Sequence, residues 1–223
     1  MRYSLQCTAV LAERGIRCLV VACNTASASA LQALRLQYPS LPVIGVIKPG
    51  AEAAVAASVS QHIAVIATEG TISGGAYATA IHRLNAAARV ASSACSLFVA
   101  MAEEGWTQGP IALAVAHRYL DPIFAVPDAP DTLVLGCTHF PVLAAAIRAV
   151  LPAGVRIIDS AATTAAAVRR QLAGDAGRLG DAPLGSRGRV TWLATDGAAR
   201  FARVGGTFFG EALHADCVEI VDL

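Results

Sequence analysis

The sequence predicts an α/β fold made of two pseudo-symmetric, doubly wound domains, with parallel sheets and a cleft between the domains. Short apolar runs of strand type alternate with longer segments of helical periodicity, which is typical of parallel sheets covered by helices. Two segments echo each other across the chain: Leu-Val-Val-Ala-Cys-Asn-Thr ends at Thr25, and Leu-Val-Leu-Gly-Cys-Thr-His ends at His139. Breaks rich in proline and glycine, at residues 48–50 and 151–154, divide the chain.

The individual elements follow from the spacing of apolar residues. Short apolar runs predict strands over residues 18–22, 43–46, 63–67, 133–135, 155–158 and 190–193. Helical spacing predicts helices over residues 26–37, 51–58, 75–84, 111–119, 142–150 and 161–172. Asn24 and Thr25 are N-cap types for the first of these helices. Thr138 can cap the helix over 142–150, and Pro141 suits its first turn. Glycine, charge and a proline predict a surface loop over 174–188.

The two breaks also predict the domain organisation. They define a discontinuous first domain, residues 1–48 plus 157–223, and a second domain, residues 49–156. Each domain then contributes one cysteine segment. Ligands of open α/β sheets bind beyond the carboxyl ends of the strands, which is where Cys23 and Cys137 are expected.

Composition excludes several classes of partner. The 17 basic and 16 acidic residues nearly balance and form no basic stripe, so neither nucleic acid nor a membrane surface is an expected partner. No apolar run is long enough to span a bilayer, and charged residues recur through the first 17 residues, so we expect a cytoplasmic protein. The six cysteines include no Cys-x-x-Cys pair, so neither disulfides nor a metal site are expected. Four of them are expected to be small buried hydrophobes: Cys7, Cys18, Cys95 and Cys217.

Cys23 and Cys137 differ from the other four because polar, turn-forming residues follow them directly. At the end of a strand and before a helix, a thiol faces unpaired backbone N–H groups and the positive end of the helix dipole. Such a setting favours the thiolate, which is the reactive form. Both cysteines are therefore candidate nucleophiles or bases.

The two cysteine motifs resemble those of the glutamate racemase family, within the cofactor-independent aspartate/glutamate racemase superfamily. The residues that carry the resemblance are Cys-Asn-Thr-Ala-Ser from Cys23 and Leu-Gly-Cys-Thr-His-Phe-Pro ending at Pro141. Supporting stretches at 46–51, 68–77 and 103–105 occur in the family's order, and the likeness covers essentially the whole chain. Histidine and Phe-Pro after the second cysteine resemble glutamate racemases more than aspartate racemases.

The resemblance implies interconversion of L- and D-glutamate by two cysteines, without a cofactor or metal. Cys23 would be the base toward D-glutamate and Cys137 the base toward L-glutamate, with the opposite thiol as the acid. The product D-glutamate would supply peptidoglycan synthesis. The resemblance also implies that a homodimer can form.

Further residues match family positions near the substrate. Those implied to bind it are Asn24, Thr25, Thr68, Thr71, Thr138 and His139, and Glu103 matches a supporting acid. Without the resemblance, the asparagine and threonines read as helix caps, the histidine as a structural residue and the glutamate as a solvated charge.

The chain departs from the family pattern at its amino end. Neither the Asp-Ser-Gly-x-Gly-Gly loop nor the Pro-Tyr-Gly loop precedes Cys23, so we expect about one βαβ unit, typically at least ~30 residues, to be lacking. A longer gene product would restore it; the chain as it stands is expected to bind substrate weakly or to fold on association. Three alternatives stay open: a racemase of aspartate or a related acid, a non-catalytic ligand-binding or regulatory protein, and, less favoured, a cysteine hydrolase using Cys137 and His139.

Overall fold

The computed structural model describes residues 1–174 and 188–223, and it confirms the predicted α/β class with parallel sheets. All five strand pairs among these residues are parallel. The described residues form two compact units, Met1–Val168 and Arg169–Leu223. The domain boundaries inferred from the sequence remain a prediction, and residues 175–187 of the predicted surface loop lie outside the described residues.

The strands, in chain order, are β1 (Leu19–Val21), β2 (Val43–Gly45), β3 (His62–Ala67), β4 (Arg89–Ala94), β5 (Thr132–Gly136), β6 (Arg156–Asp159), β7 (Trp192–Ala194) and β8 (Val218–Ile220). The helices are α1 (Arg2–Glu13), α2 (Asn24–Gln37), α3 (Ile47–Ala57), α4 (Glu69–Ser73), α5 (Ala76–Leu84), α6 (Leu97–Glu103), α7 (Gly109–Phe124), α8 (Ala144–Val150), α9 (Ser160–Gly174) and α10 (Ala198–Phe209). Two 3₁₀ turns cover Phe140–Leu143 and Ala215–Cys217. Among the helices of the described residues, none has the length and apolar character needed to cross a membrane.

The larger sheet of the first unit has the strand order β4-β3-β5-β6. From β3 the chain continues outward to β4, and from β5 it continues outward to β6 on the opposite side. The strand order therefore reverses between β3 and β5, which is where open α/β sheets form their binding crevice. Ala67, the last residue of β3, pairs with Gly136, the last residue of β5, so both strands end at the same edge.

This sheet separates two apolar cores. Side chains of β3 and β5 alternate between its faces because successive residues of a strand point in opposite directions. The core on one face contains Ala64, Ile66, Leu133 and Leu135 packed with Phe98, Leu120 and Phe140. The core on the other face contains Ile63, Val65 and Val134 packed with Ile47, Ala51, Tyr77 and Ile81.

The small sheet β1-β2 is fixed to helix α2 by one buried hydroxyl. Ser27 Oγ donates to the Val21 carbonyl at 2.7 Å and accepts from the Val46 N–H at 3.2 Å. One side chain thus bridges the ends of both strands. A Cβ at Gly45 would collide with the end of the Leu31 side chain and come within 3.0 Å of Ser27 Oγ, so a larger residue there would displace Leu31. These contacts fix the start of α2, and with it Cys23.

The break predicted at residues 48–50 is wrong, because these residues lie in the first turns of α3. Pro49 is the third residue of that helix, where the backbone N–H needs no intrahelical partner. The break at 151–154 is confirmed as the turn between α8 and β6, with Gly154 in the left-handed region at φ +88°.

Strand β4 and helices α6 and α10 were not predicted from apolar spacing. The sequence of β4, Arg-Val-Ala-Ser-Ser-Ala, is polar because this is an edge strand with partly exposed side chains. Helix α6 spans only seven residues, and α10 contains Gly205 and Gly206, which disfavour helices. In the second unit, the Trp192 ring packs edge-on against Phe209 with centroids 5.0 Å apart, which joins β7 to α10.

Asp131 is expected to stabilise the first unit. Its carboxylate accepts hydrogen bonds from the Ser58 and Thr132 hydroxyls and from the backbone N–H groups of Val59 and Ser60, at 2.6–2.9 Å. Partial burial raises the pKa of Asp131, but these hydrogen bonds outweigh it and hold the pKa well below its usual range. We expect Asp131→Ala to lower the free energy of unfolding by about 1–2 kcal/mol, the low end for several hydrogen bonds because solvent screens the site.

The effect of Asp131 should depend on pH with a defined sign. Because the pKa is depressed in the folded state, the stabilisation is present above the unfolded value of about 3.9 and is lost as pH falls through the folded value. Denaturant unfolding at pH 7 and pH 3 measures this. Asp121→Ala, at an exposed carboxylate on α7, is the control. A difference between wild type and Asp131→Ala that grows on acidification would contradict the assignment.

Candidate active site

Cys23 lies between β1 and α2 and is itself the N-cap of the helix. Its backbone is extended, with φ −69° and ψ 124°, and its Sγ accepts a hydrogen bond from the Ala26 N–H at 3.5 Å. The expectation that Asn24 or Thr25 caps α2 is therefore wrong, since both are helical residues. The sulfur is exposed and sits at the positive end of a 14-residue helix, which favours a negative charge there.

Cys137 follows β5 directly and is buried, with 7% of its surface exposed. Burial raises the pKa of this thiol; a hydrogen bond from the His139 backbone N–H opposes the rise, and the nearby Cys23 adds to it. The net pKa is raised, which corrects the expectation that the Cys137 site favours the thiolate. Burial is the main cause, and a short 3₁₀ turn with N-cap His139 follows Cys137 instead of the predicted long helix capped by Thr138. Thr138 is half-buried between the two residues.

The side chains of Cys137, His139 and Glu103 are linked by two successive polar contacts. The Cys137 Sγ lies 3.8 Å from His139 Nδ1, and His139 Nε2 lies 3.2 Å from Glu103 Oε1. Both partners are half-buried. Phe98 of α6 meets Phe140 edge-on at 5.4 Å, which holds the helix carrying Glu103 against the turn that follows His139. Glu103, which reads as a solvated charge by sequence alone, thus faces an imidazole.

Three threonine hydroxyls form a triangle between the Cys23 loop and the end of β3. Thr25 Oγ1 lies 3.1 Å from Thr68 Oγ1 and 3.0 Å from Thr71 Oγ1, and the last two are 3.2 Å apart. Each hydroxyl can donate only one hydrogen but has two lone pairs. The triangle therefore holds acceptor capacity and rotatable protons for a further polar group.

Asn24, beside the first cysteine, is held by a residue that sequence reasoning missed. The Tyr77 hydroxyl donates to Asn24 Oδ1 at 2.7 Å, and both side chains are 3% exposed. The sequence signal for Tyr77 was weak, because a phenol four residues before Ile81 on one helix face is what an ordinary core position looks like. The buried Nδ2 of Asn24 donates no hydrogen bond to any described residue.

The structure thus brings eight predicted residues into one region of the first unit, where the loops after β1, β3 and β5 meet. They are Cys23, Asn24, Thr25, Thr68, Thr71, Cys137, His139 and Glu103. The two cysteines lie close enough for the charge of Cys23 to contribute to the raised pKa of Cys137. The fold and the site define an α/β protein whose candidate active site groups two cysteine thiols with polar side chains at the carboxyl ends of parallel strands.

The chain belongs to the Asp/Glu/Hydantoin racemase family, which matches residues 3–168. It is 46% identical to the glutamate racemase of Geobacter metallireducens over 212 residues, which is 95% of this chain and 76% of that relative. A glutamate racemase structure from Bacillus anthracis superposes with a TM-score of 0.87 at 34% identity, covering 100% of this chain and 80% of that one. The Francisella tularensis enzyme in complex with D-glutamate superposes with a TM-score of 0.86 at 29% identity, covering 99% and 79%.

The different settings of the two cysteines should be visible in alkylation. At pH 7.5 we expect iodoacetamide to modify Cys23 faster than Cys137, because Cys23 is exposed and burial raises the pKa of Cys137. The rate at Cys137 should rise with pH. Peptide mass spectrometry measures each site. Cys95 is the internal control for slow modification, because burial raises its pKa to about 12.

Cys7 and Cys217 are the controls for fast modification. Both were expected to be buried, and that prediction is wrong. Cys7 and Cys217 are exposed, because Cys7 lies on the outer face of α1 and Cys217 in a surface turn, whereas Cys18 is half-buried. Modification of Cys137 at the rate of Cys23 at pH 7.5 would contradict the assigned environments.

Proposed function

We propose that the chain interconverts L-glutamate and D-glutamate, with Cys23 and Cys137 as the two acid/base residues. The observation that carries the proposal is the pair of thiols at the ends of β1 and β5, which lie close enough for the charge of Cys23 to contribute to the raised pKa of Cys137. Racemisation must remove the α-proton from one face of the substrate and return a proton to the other. Two acid/base groups in one site suit that requirement.

In the proposed step from D-glutamate, the Cys23 thiolate removes the α-proton. The C–H bond breaks, its electron pair stays on the α-carbon, and an S–H bond forms. The Cys137 thiol then gives its proton to the opposite face and becomes a thiolate. From L-glutamate the roles reverse, and no electrons are gained or lost. Burial supports this assignment for D-glutamate, because a raised pKa keeps the proton on Cys137 before the reaction.

Polar side chains around the thiols are proposed to hold the substrate. The hydroxyls of Thr25, Thr68 and Thr71 and the amide of Asn24 would bind its charged groups, together with Thr138. Hydrogen-bond donors fixed in advance stabilise the negative charge that develops during proton removal. The bound D-glutamate of the Francisella tularensis structure supports this substrate class.

His139 and Glu103 are proposed to serve Cys137. Conversion of L-glutamate needs Cys137 without its proton, which burial disfavours. The imidazole at 3.8 Å can take that proton, and the carboxylate at 3.2 Å on its far nitrogen can stabilise the resulting positive charge. On the strength of family membership, we also propose a cytoplasmic enzyme that supplies D-glutamate to peptidoglycan.

Replacing either cysteine by alanine should lower turnover at least about 100-fold, since each removes an acid/base group required in both directions. The measurement is polarimetry with each enantiomer of glutamate and of aspartate. Cys7→Ala, at an exposed cysteine on α1, is the control and should keep wild-type rates. Near-normal turnover in both active-site variants would refute the two-thiol mechanism.

The same samples separate the alternative functions. Faster turnover of aspartate than of glutamate would replace the proposed substrate. Calorimetric binding of glutamate by the wild-type chain, without α-proton exchange in deuterated water, would instead support a non-catalytic binding protein.

Glu103→Gln should lower kcat/KM about tenfold, because the amide cannot stabilise a positive imidazole as a carboxylate does. Enantiomers have equal free energy, so kcat/KM must fall by the same factor from L- and from D-glutamate. Glu104→Gln, at the exposed neighbouring residue, is the matched control. Equal kcat/KM values for Glu103→Gln and Glu104→Gln would remove Glu103 from the mechanism.

A further inference from the structure

We propose that Tyr77 is a positioning residue for this reaction: its hydroxyl orients the Asn24 amide beside Cys23, while its ring packs against the strand end that carries Cys137. The inference rests on the proposed racemase function and adds a residue to it. Tyr77 is buried, with only 3% of its surface accessible, so packing fixes its contacts.

Close packing fixes the position of the phenol on both sides. A Cβ at Gly50 of α3 would lie 3.2 Å from the Tyr77 hydroxyl and 3.3 Å from Cε1. A Cβ at Gly136 of β5 would lie 3.1 Å from Tyr77 Cε2. Both distances are tighter than ordinary contacts, so glycine at each position lets the ring approach the backbone. Gly136 directly precedes Cys137, and the ring therefore contacts the base of that loop.

The phenol acts as a hydrogen-bond donor. Burial raises the pKa of Tyr77, and the charges of Cys137 and Asp159 raise it further, so the hydroxyl keeps its proton. It donates to Asn24 Oδ1 at 2.7 Å. The amide oxygen is thereby fixed on the Tyr77 side, and the amide nitrogen points away from the phenol.

The orientation leaves a prepared donor at the site. Asn24 Nδ2 is buried and donates to no acceptor among the described residues, although a buried amide nitrogen normally donates hydrogen bonds. The terminal torsion of asparagine is broad and nearly two-fold, so the amide alone would not select this orientation. We infer that the bond from Tyr77 selects it and that Nδ2 donates to an acceptor oxygen of the substrate, such as a carboxylate oxygen.

The test is a double-mutant cycle with Tyr77→Phe and Asn24→Ala. Tyr77→Phe keeps the ring and removes the donor, and we expect kcat/KM to fall about tenfold, mainly through KM. If Tyr77 acts through Asn24, Tyr77→Phe should change little more in the Asn24→Ala background. Tyr119→Phe is the matched control, because it removes a hydroxyl that accepts the Leu97 N–H on the other side of the sheet.

A second variant moves the phenol without removing it. Gly50→Ala adds a methyl group against the Tyr77 hydroxyl, and alanine favours the helix, so the fold should be retained. We expect a several-fold loss of kcat/KM that again disappears in the Asn24→Ala background. Gly205→Ala in α10 is its control, since a Cβ there would make only an ordinary 3.5 Å contact with Leu213.

The outcomes separate the inference from the proposed function. An active wild type with losses from Tyr77→Phe and Gly50→Ala that are fully additive with Asn24→Ala would overturn the role of Tyr77 alone. Loss of thermal stability without a change in KM would also overturn it, because that indicates packing only. A wild-type chain without racemase activity would overturn the proposed function and this inference together.

Discussion

The site depends on the register between β3 and β5. Because Ala67 pairs with Gly136, Thr68 and Cys137 leave adjacent strands at the same edge, where the strand order reverses. A slip of one residue would turn every side chain of a strand to the opposite face. It would also replace Gly136 by a residue with a Cβ. A Cβ at that place would lie 3.0 Å from the Ile66 carbonyl oxygen, which is tighter than an ordinary contact. The register of β3 with β5 therefore determines which side chains enter each core, and it also places Thr68 and Cys137 at the same edge of the sheet.

The two thiols at this edge have unlike surroundings. Cys23 is exposed and accepts a backbone N–H at the start of a long helix, whereas Cys137 is buried and followed by a short turn. Burial raises the pKa of Cys137. The imidazole of His139 and the carboxylate of Glu103 lie beside Cys137, so the thiol whose pKa is raised by burial also has a neighbouring base. In the proposed mechanism, the helix serves one thiol and the histidine serves the other.

Sequence predicted the parts of the fold that local chemistry determines. The apolar runs of β3 and β5 are distinctive because both faces of these strands are buried. Edge strand β4 gave no such signal, since half-exposed positions tolerate serine and arginine. The cap at Cys23 was missed because sulfur is not among the usual capping atoms. The hydrogen bond from Tyr77 joins residues 53 positions apart, and nothing local distinguishes that phenol from a core side chain.

An asymmetric site for a symmetric reaction has a thermodynamic consequence. The two enantiomers have equal free energy in solution, so no arrangement of thiols can favour one product at equilibrium. In the proposed mechanism, unequal settings instead change which protonation state of the enzyme accumulates, because each turnover exchanges the protonated and the ionised thiol. Coupling between Cys23 and Cys137 raises the free energy of the state with both thiols ionised. In the proposed mechanism, one thiol is ionised and the other carries a proton before each turnover, and burial of Cys137 favours the state in which Cys137 carries it.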